Sequence, residues 1–182
     1  MKTPQYDDVL YSSESVEWLT PPEIVAAVIE VLGKIDLDPC SEWAGANILA
    51  GNHYTKVQDG LSLPWTNIYD APARLFANPP YGHGEHGIEP WVDKLLAEVA
   101  LGHVSEAIVL APARTDTKWL HKLRDWPFCL VLGRLAFTRP GETVTTSAPF
   151  PSALFYYGPN EQRFVAVMES RGIGFVAKRV RT

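Results

Sequence analysis

Between Pro21 and Lys34 the chain reads PPEIVAAVIEVLGK, with apolar residues at helical spacing. Thr20 stands where an N-cap belongs, Pro21 and Pro22 fall near the first helical position, Glu23 completes a capping-box spacing, and Gly33 is a terminator. The spacing predicts a helix over about 22–32. KIDLDPCS follows as a short apolar strand expected to stop in a loop at Asp38-Pro39. Residues 42–65 are less regular, with at most a short helix near Ala46 to Ala50 and a weak strand before Asp59. Arg74 to Ala77 reads as a strand, GHGEHG as a Gly-rich loop, and Glu89 to Leu101 as a helix. EAIVLAPART is a buried strand and its loop, and DTKWLHKLRD a helix begun by Asp116. Then FCLVLG, RLAF and ALFYYG read as strands, NEQRFVAVMESRG as a helix and IGFVAKRV as a last strand.

Alternating strands and helices followed by a denser run of strands predict an α/β fold, its sheet mostly parallel with an antiparallel edge. In such sheets ligands lie beyond the C-terminal ends of the strands. Three unusual loops then share one rim: Asp38 to Ser41, Asn78 to Gly82 and Pro112 to Thr115. Residues 1–16 carry no period and are expected to be a loose arm, leaving 17–182 as a single domain.

Composition narrows the classes. With 182 residues, 46% hydrophobic and 20% charged, the chain can bury a substantial core. No apolar run approaches the roughly 20 residues that span a bilayer, and MKTPQYDDVLYSS has no apolar signal segment, so a cytoplasmic protein without membrane contact is expected. Cys40 and Cys129 make neither a disulfide framework nor a metal spacing. His83, Glu85 and His86 lack a third supporting site, and no metal is expected. A formal charge of −5 argues against coating nucleic acid by charge alone. Arg114, Lys118, Lys122, Arg124, Arg134 and Arg139 nevertheless gather in the second half; each taken singly reads as a solvated surface charge. Trp43, Trp65, Trp91, Trp119 and Trp126 read as core or interface anchors.

ANPPYG, at Ala77 to Gly82, leaves its strand through two residues that have no backbone N–H. Two prolines can serve simply as a rigid strand exit. They also suit the methylation of an exocyclic amino group, whose lone pair is delocalised into the ring. The Asn78 side-chain oxygen and the Pro79 carbonyl can each accept one amino hydrogen, drawing the lone pair out of the ring plane. Pro79 and Pro80 then hold the acceptors still without a competing donor, and Tyr81 offers a face for an extruded base. The methyl donor implied is S-adenosylmethionine. Asp38 suits its ammonium end, with Pro39 and Cys40 shaping the turn, and Asp59 suits its adenine amino group; both aspartates also read as turn residues.

These residues resemble the phage-type DNA N-6-adenine methyltransferases. The blocks that match, in order, are Trp18-Leu19-Thr20-Pro21, Leu37-Asp38-Pro39-Cys40-Ser41, Asp59-Gly60-Leu61 with Pro64-Trp65, Asn78-Pro79-Pro80-Tyr81-Gly82, Pro112 to Trp119, and Gly133 to Phe137. The resemblance implies a Rossmann-like, S-adenosylmethionine-dependent methyltransferase fold with helices on both faces of the sheet. It implies transfer to adenine N6 in DNA at Asn78-Pro79-Pro80-Tyr81, by an enzyme of phage or prophage origin in a bacterial host cell. It also implies a cofactor cradle from Trp18, Thr20, Pro21, Asp38, Pro39, Cys40, Ser41 and Asp59. The chain departs from many such enzymes in lacking a Gly-x-Gly loop after the first strand and an identifiable ribose-binding carboxylate. DNA contact falls to Arg114, Lys118, Arg134 and Arg139, and target selection, with no separate recognition domain, to His83–Gly87 and Thr138–Pro149. No obligate protein partner is evident. An RNA base or a protein glutamine amide would need the same two acceptors, and a catalytically silent nucleic-acid-binding module is the reading from another class.

Overall fold

The structure is a computed structural model and describes residues 19–41, 47–81, 87–138 and 145–178. Helix α1 (Pro22–Leu32) buries Ile24, Val25, Ala27, Val28, Val31 and Leu32, the apolar face read from the sequence. Gly33 ends it at φ 75°, its N–H donating to the Ile29 carbonyl at 2.7 Å, a conformation glycine adopts without a Cβ clash. The start differs from expectation. Pro21 is the N-cap and no side chain caps the helix; the Pro21 carbonyl accepts from Ile24 and Val25 instead, and the Thr20 hydroxyl is engaged elsewhere.

Strand β1 (Ile35–Ser41) runs on through Asp38-Pro39, where the sequence predicts a stop. The proline is accommodated by a register shift against β2 (Ala50–Thr55) between Asp38 and Ser41, which absorbs the missing donor. Residues 47–49 are not helical, and β2 is the weak strand expected before Asp59, beginning already at Ala50. AGNHYT carries no apolar alternation, so its strand is made by parallel pairing to β1.

Beyond β3 (Ala73–Ala77), α2 (Ile88–Ala100) and β4 (Val104–Pro112) come α3 (Lys118–Lys122) and β5 (Phe128–Val131), then β6 (Ala136–Thr138) and β7 (Thr145–Ser147). The described chain closes with β8 (Ser152–Tyr157), α4 (Glu161–Ser170) and β9 (Gly174–Ala177). Helix α3 is shorter than predicted, and Thr117, not Asp116, is its N-cap. The main sheet has the order β2-β1-β3-β4-β8-β5-β9. Its first four strands are parallel, whereas β8 is antiparallel to β4 and β5, and β9 antiparallel to β5. The antiparallel part is therefore not confined to an edge: β8 returns between β4 and β5.

Helices cover both faces. On one, α1 and α4 pack on Phe76, Ile108, Leu110, Leu154 and Tyr156; on the other, Ile88, Val92 and Leu95 of α2 and Trp119 and Leu123 pack on Leu75, Ala107, Val109 and Phe155. Alternate residues of β3, β4 and β8 serve the two layers, as strand geometry requires. Trp65 and Trp119 are buried and Trp91 and Trp126 half-buried against the second layer, as expected of anchors; Trp43 lies outside the described residues.

The segment 138–149, expected as loop, carries strand β7, which pairs with β6 to make a ribbon through Ala136–Ser147, Phe137–Thr146 and Thr138–Thr145. The exposed Thr-Thr-Ser strand has no apolar pattern to announce it, and backbone pairing alone defines it.

Candidate active site

Register decides which strand ends meet. Leu37 pairs with Leu75 and Ala77 with Val109, so the C-terminal ends of β1, β3 and β4 lie along one rim. Strand β5 ends there as well, because Pro112 and Leu130 lie level with Ser152 and Ala153 of β8. The chain between β5 and β8, including the β6–β7 ribbon, therefore leaves from and returns to that rim. Asp38–Ser41, Asn78–Tyr81 and Pro112–Thr115 come together as expected, and Cys40, Tyr81 and Ala113 pack against the same core layer.

Asn78 is half-buried at the exit of β3, followed by a buried Pro79 and an exposed Pro80. Its Nδ2 donates to Thr20 Oγ1 at 3.1 Å, and the Tyr81 hydroxyl donates to its Oδ1 at 2.5 Å. These lengths suit N–H···O and O–H···O bonds respectively. The Tyr81 oxygen is also 3.4 Å from the Leu110 carbonyl. Burial pushes the Tyr81 phenol up, so it remains a donor. An amide oxygen has two lone pairs, and Tyr81 uses one.

Tyr81 in turn meets Phe150 edge to face, with ring centroids 5.3 Å apart and planes at 77°. The Arg114 guanidinium carbon stands 5.5 Å from the Phe150 centroid, within cation–π range. Arg114 is thus tied to the rim rather than simply solvated. Neither Phe150 nor the Thr20–Asn78 bond follows from sequence pattern. The one local sign at Phe150 is its position between Pro149 and Pro151.

Asp38 is buried at the tip of β1. Burial raises its carboxyl pKa to about 7, against hydrogen bonds from Cys40 and Ser41 that favour the ionised form. Cys40 N–H donates to Oδ1 at 3.2 Å, and Oδ2 lies 4.0 Å from Nδ1 of His53, its register partner on β2. Burial lowers the pKa of His53, which opposes an ion pair there. A buried carboxyl so placed suits a cationic ligand group.

Asp59 is exposed, at φ 53°; its carboxylate accepts from Leu61 N–H at 3.2 Å, and its main-chain carbonyl accepts from Ser62 N–H and Oγ. It builds a turn. That turn is pressed onto the tip of β1 because Gly60 has no side chain: a Cβ there would stand 1.9 Å from the Pro39 carbonyl oxygen. Trp65 fixes the approach, its Nε1 donating to the Gly60 carbonyl at 2.7 Å and its N–H to Glu98 Oε2 at 3.1 Å. Gly60→Ala is therefore expected to lower stability by about 2–3 kcal/mol, the scale of an overpacked interior site, read from the urea unfolding midpoint.

Lys118 and Arg134 are exposed. Trp18, Arg139, His83, Glu85 and His86 lie outside the described residues. Among the described residues no group of three or more His, Cys, Asp or Glu side chains could hold a metal ion, and no helix is long and apolar enough to cross a membrane.

A model of the family described as DNA N-6-adenine-methyltransferase (Dam) matches residues 9–170. No curated protein matches the chain. The matched span contains every strand that builds the rim, together with the segment carrying Thr20 and the return through Phe150. The chain belongs to the DNA N-6-adenine-methyltransferase (Dam) family.

Proposed function

We propose that this protein is an S-adenosylmethionine-dependent enzyme of phage or prophage origin that methylates adenine N6 at chosen sites in DNA, with a Rossmann-like fold and one domain serving both catalysis and target selection. The family supports adenine-N6 methylation of DNA. The observation that carries the residue assignment is the Asn78 amide, bracketed by two hydroxyls at the rim it shares with the buried Asp38.

The free lone pair of Asn78 Oδ1 and the Pro79 carbonyl accept the two amino hydrogens of an extruded adenine. Both are held before substrate arrives, so little reorganisation accompanies the charge that develops on nitrogen. Tyr81, buttressed by Phe150, lies against the base. Asp38, ionised, holds an ammonium group, with Pro39, Cys40 and Ser41 forming the turn around it; Asp59 and the segment Trp18, Thr20, Pro21 complete the cradle, Thr20 through its main chain, since its hydroxyl is engaged with Asn78. Bound S-adenosylmethionine would supply an electrophilic methyl on sulfonium sulfur, whose transfer to N6 would release the sulfide as leaving group and the surplus amino proton to water.

Arg114, Lys118, Arg134 and Arg139 contact the DNA backbone, and the β6–β7 ribbon, leaving from the same rim, takes part in target selection. Arg114→Ala is expected to weaken DNA binding similarly across sequences and to reduce the slope of log K against log salt by about 1, as loss of one phosphate contact does. A salt titration by fluorescence anisotropy measures it.

The decisive experiment incubates the protein with S-adenosylmethionine and unmethylated DNA, digests the product to nucleosides and looks for N6-methyldeoxyadenosine. Methyl transfer to RNA or to protein glutamine, with none to DNA, overturns the proposal.

A further inference from the structure

Thr20 precedes α1 in a segment that, by sequence, belongs to a helix cap and a cofactor pocket. The structure gives its side chain a different neighbour. Thr20 is 3% exposed, and its Oγ1 accepts from Asn78 Nδ2, 58 residues away, at 3.1 Å. The main chain around it is pinned on both sides: Leu19 N–H donates to the Thr138 carbonyl at 2.8 Å, and Asn47 Nδ2 donates to the Thr20 carbonyl. The hydroxyl is therefore held in place and not merely in reach.

A carboxamide can present either end to a substrate. In the observed orientation Nδ2 faces Thr20 and Oδ1 takes the Tyr81 proton. Turned by 180°, Nδ2 would face the Tyr81 hydroxyl, whose own proton would be left with the Leu110 carbonyl at a long 3.4 Å. The turned amide would also direct N–H at an incoming amino group, donor against donor.

We propose that Thr20 is a positioning residue: its hydroxyl, accepting from Nδ2, steadies the Asn78 amide in the orientation set by Tyr81 and the Leu110 carbonyl, in which Oδ1, and not Nδ2, meets the amino group of the target base. The inference rests on the functional reading above and adds to it a side chain whose effect on the reaction passes through Asn78.

The test compares wild-type protein with Thr20→Val, which keeps shape and loses the acceptor, and with Thr20→Ser, which keeps the acceptor and loses the methyl group. Thr20→Ala serves as a second hydroxyl-free variant should Thr20→Val fold poorly, and melting temperatures report on folding. With DNA and S-adenosylmethionine saturating, the hydroxyl-free variants lose about 10- to 100-fold in kcat, the scale of a misaligned reacting group. Thr20→Ser recovers to within about threefold, and the calorimetric Kd for S-adenosylmethionine stays within about threefold throughout, since the lost bond is to Asn78. In an Asn78→Ala background the Thr20 substitutions have no further effect, because residues acting through one another are not additive. Unchanged kcat with weakened cofactor binding, a Thr20→Ser as slow as Thr20→Val, or equal losses with and without Asn78 would each overturn the proposal. A wild-type protein that leaves DNA unmethylated overturns the functional reading, and with it this inference; wild-type activity with fully active hydroxyl-free variants overturns this inference alone.

Discussion

Asn78→Ala lowers methyl transfer to DNA by about 10³-fold at saturating substrate and cofactor, the upper end for removing one preorganised polar group from a transition state. The effect falls on kcat. On the proposed reading, affinity for DNA comes from backbone contacts of basic side chains, which the substitution leaves in place, so binding by anisotropy changes little. Loss of the bonds to Thr20 and Tyr81 costs on the order of 1 kcal/mol each, well short of unfolding a domain of this size. The measurement is the yield of N6-methyldeoxyadenosine per unit time alongside a melting curve. A variant that methylates at the wild-type rate shows that the acceptor lies elsewhere. One that binds DNA normally but transfers nothing separates this enzyme from a silent binding module.

Asp38 sets the second large effect, and its sign follows from the direction of the shift. In the folded protein the carboxyl ionises near pH 7, against 3.8 as its ordinary value, because burial disfavours the charge. The folded state therefore holds this proton more tightly than the unfolded chain. The stability it contributes is full below about pH 4, declines as pH rises towards 7, and is lost above that. A shift from 3.8 to about 7 corresponds to on the order of 4 kcal/mol. Asp38→Asn removes the cost of ionisation, so at pH 8 the cofactor-free variant is more stable than wild type, by urea denaturation. Cofactor binding runs the opposite way. With Asp38 at the ammonium end of the cofactor, as proposed, binding needs the carboxylate, so wild-type affinity for S-adenosylmethionine falls by up to about tenfold per unit as pH drops below 7, and Asp38→Asn binds poorly at every pH. Flat cofactor affinity between pH 5.5 and 8 would remove Asp38 from the ammonium site.

Both effects arise where the chain departs from its simplest local reading. Thr20 has every mark of a helix cap, yet the helix is capped by main-chain bonds to the Pro21 carbonyl. Capping motifs describe only what a hydroxyl can reach locally; the amide brought in by β3 lies far along the chain. Asp38-Pro39 has the marks of a strand stop, yet β1 continues to Ser41 because a register shift against β2 accommodates the proline. Asp59-Gly60 reads as a turn and is one, but its place against the tip of β1 depends on Trp65, which holds the Gly60 carbonyl. Phe150 and His53 carried almost no signal, since their partners, Tyr81 in the loop after β3 and Asp38 on β1, lie in other segments of the chain.

Hydrophobic period, proline and glycine placement were enough to locate α1, β3, α2, β4, β8 and α4, because those elements bury a continuous apolar face that the local sequence must supply. The NPPY exit and the acidic strand end were legible for the same reason: their chemistry is written in adjacent residues. That β5 also ends on this rim, how an amide is turned and how far burial shifts a carboxyl were settled only in three dimensions. Strand register, a hydroxyl from a distant segment and exclusion of water all depend on parts of the chain that meet only after folding.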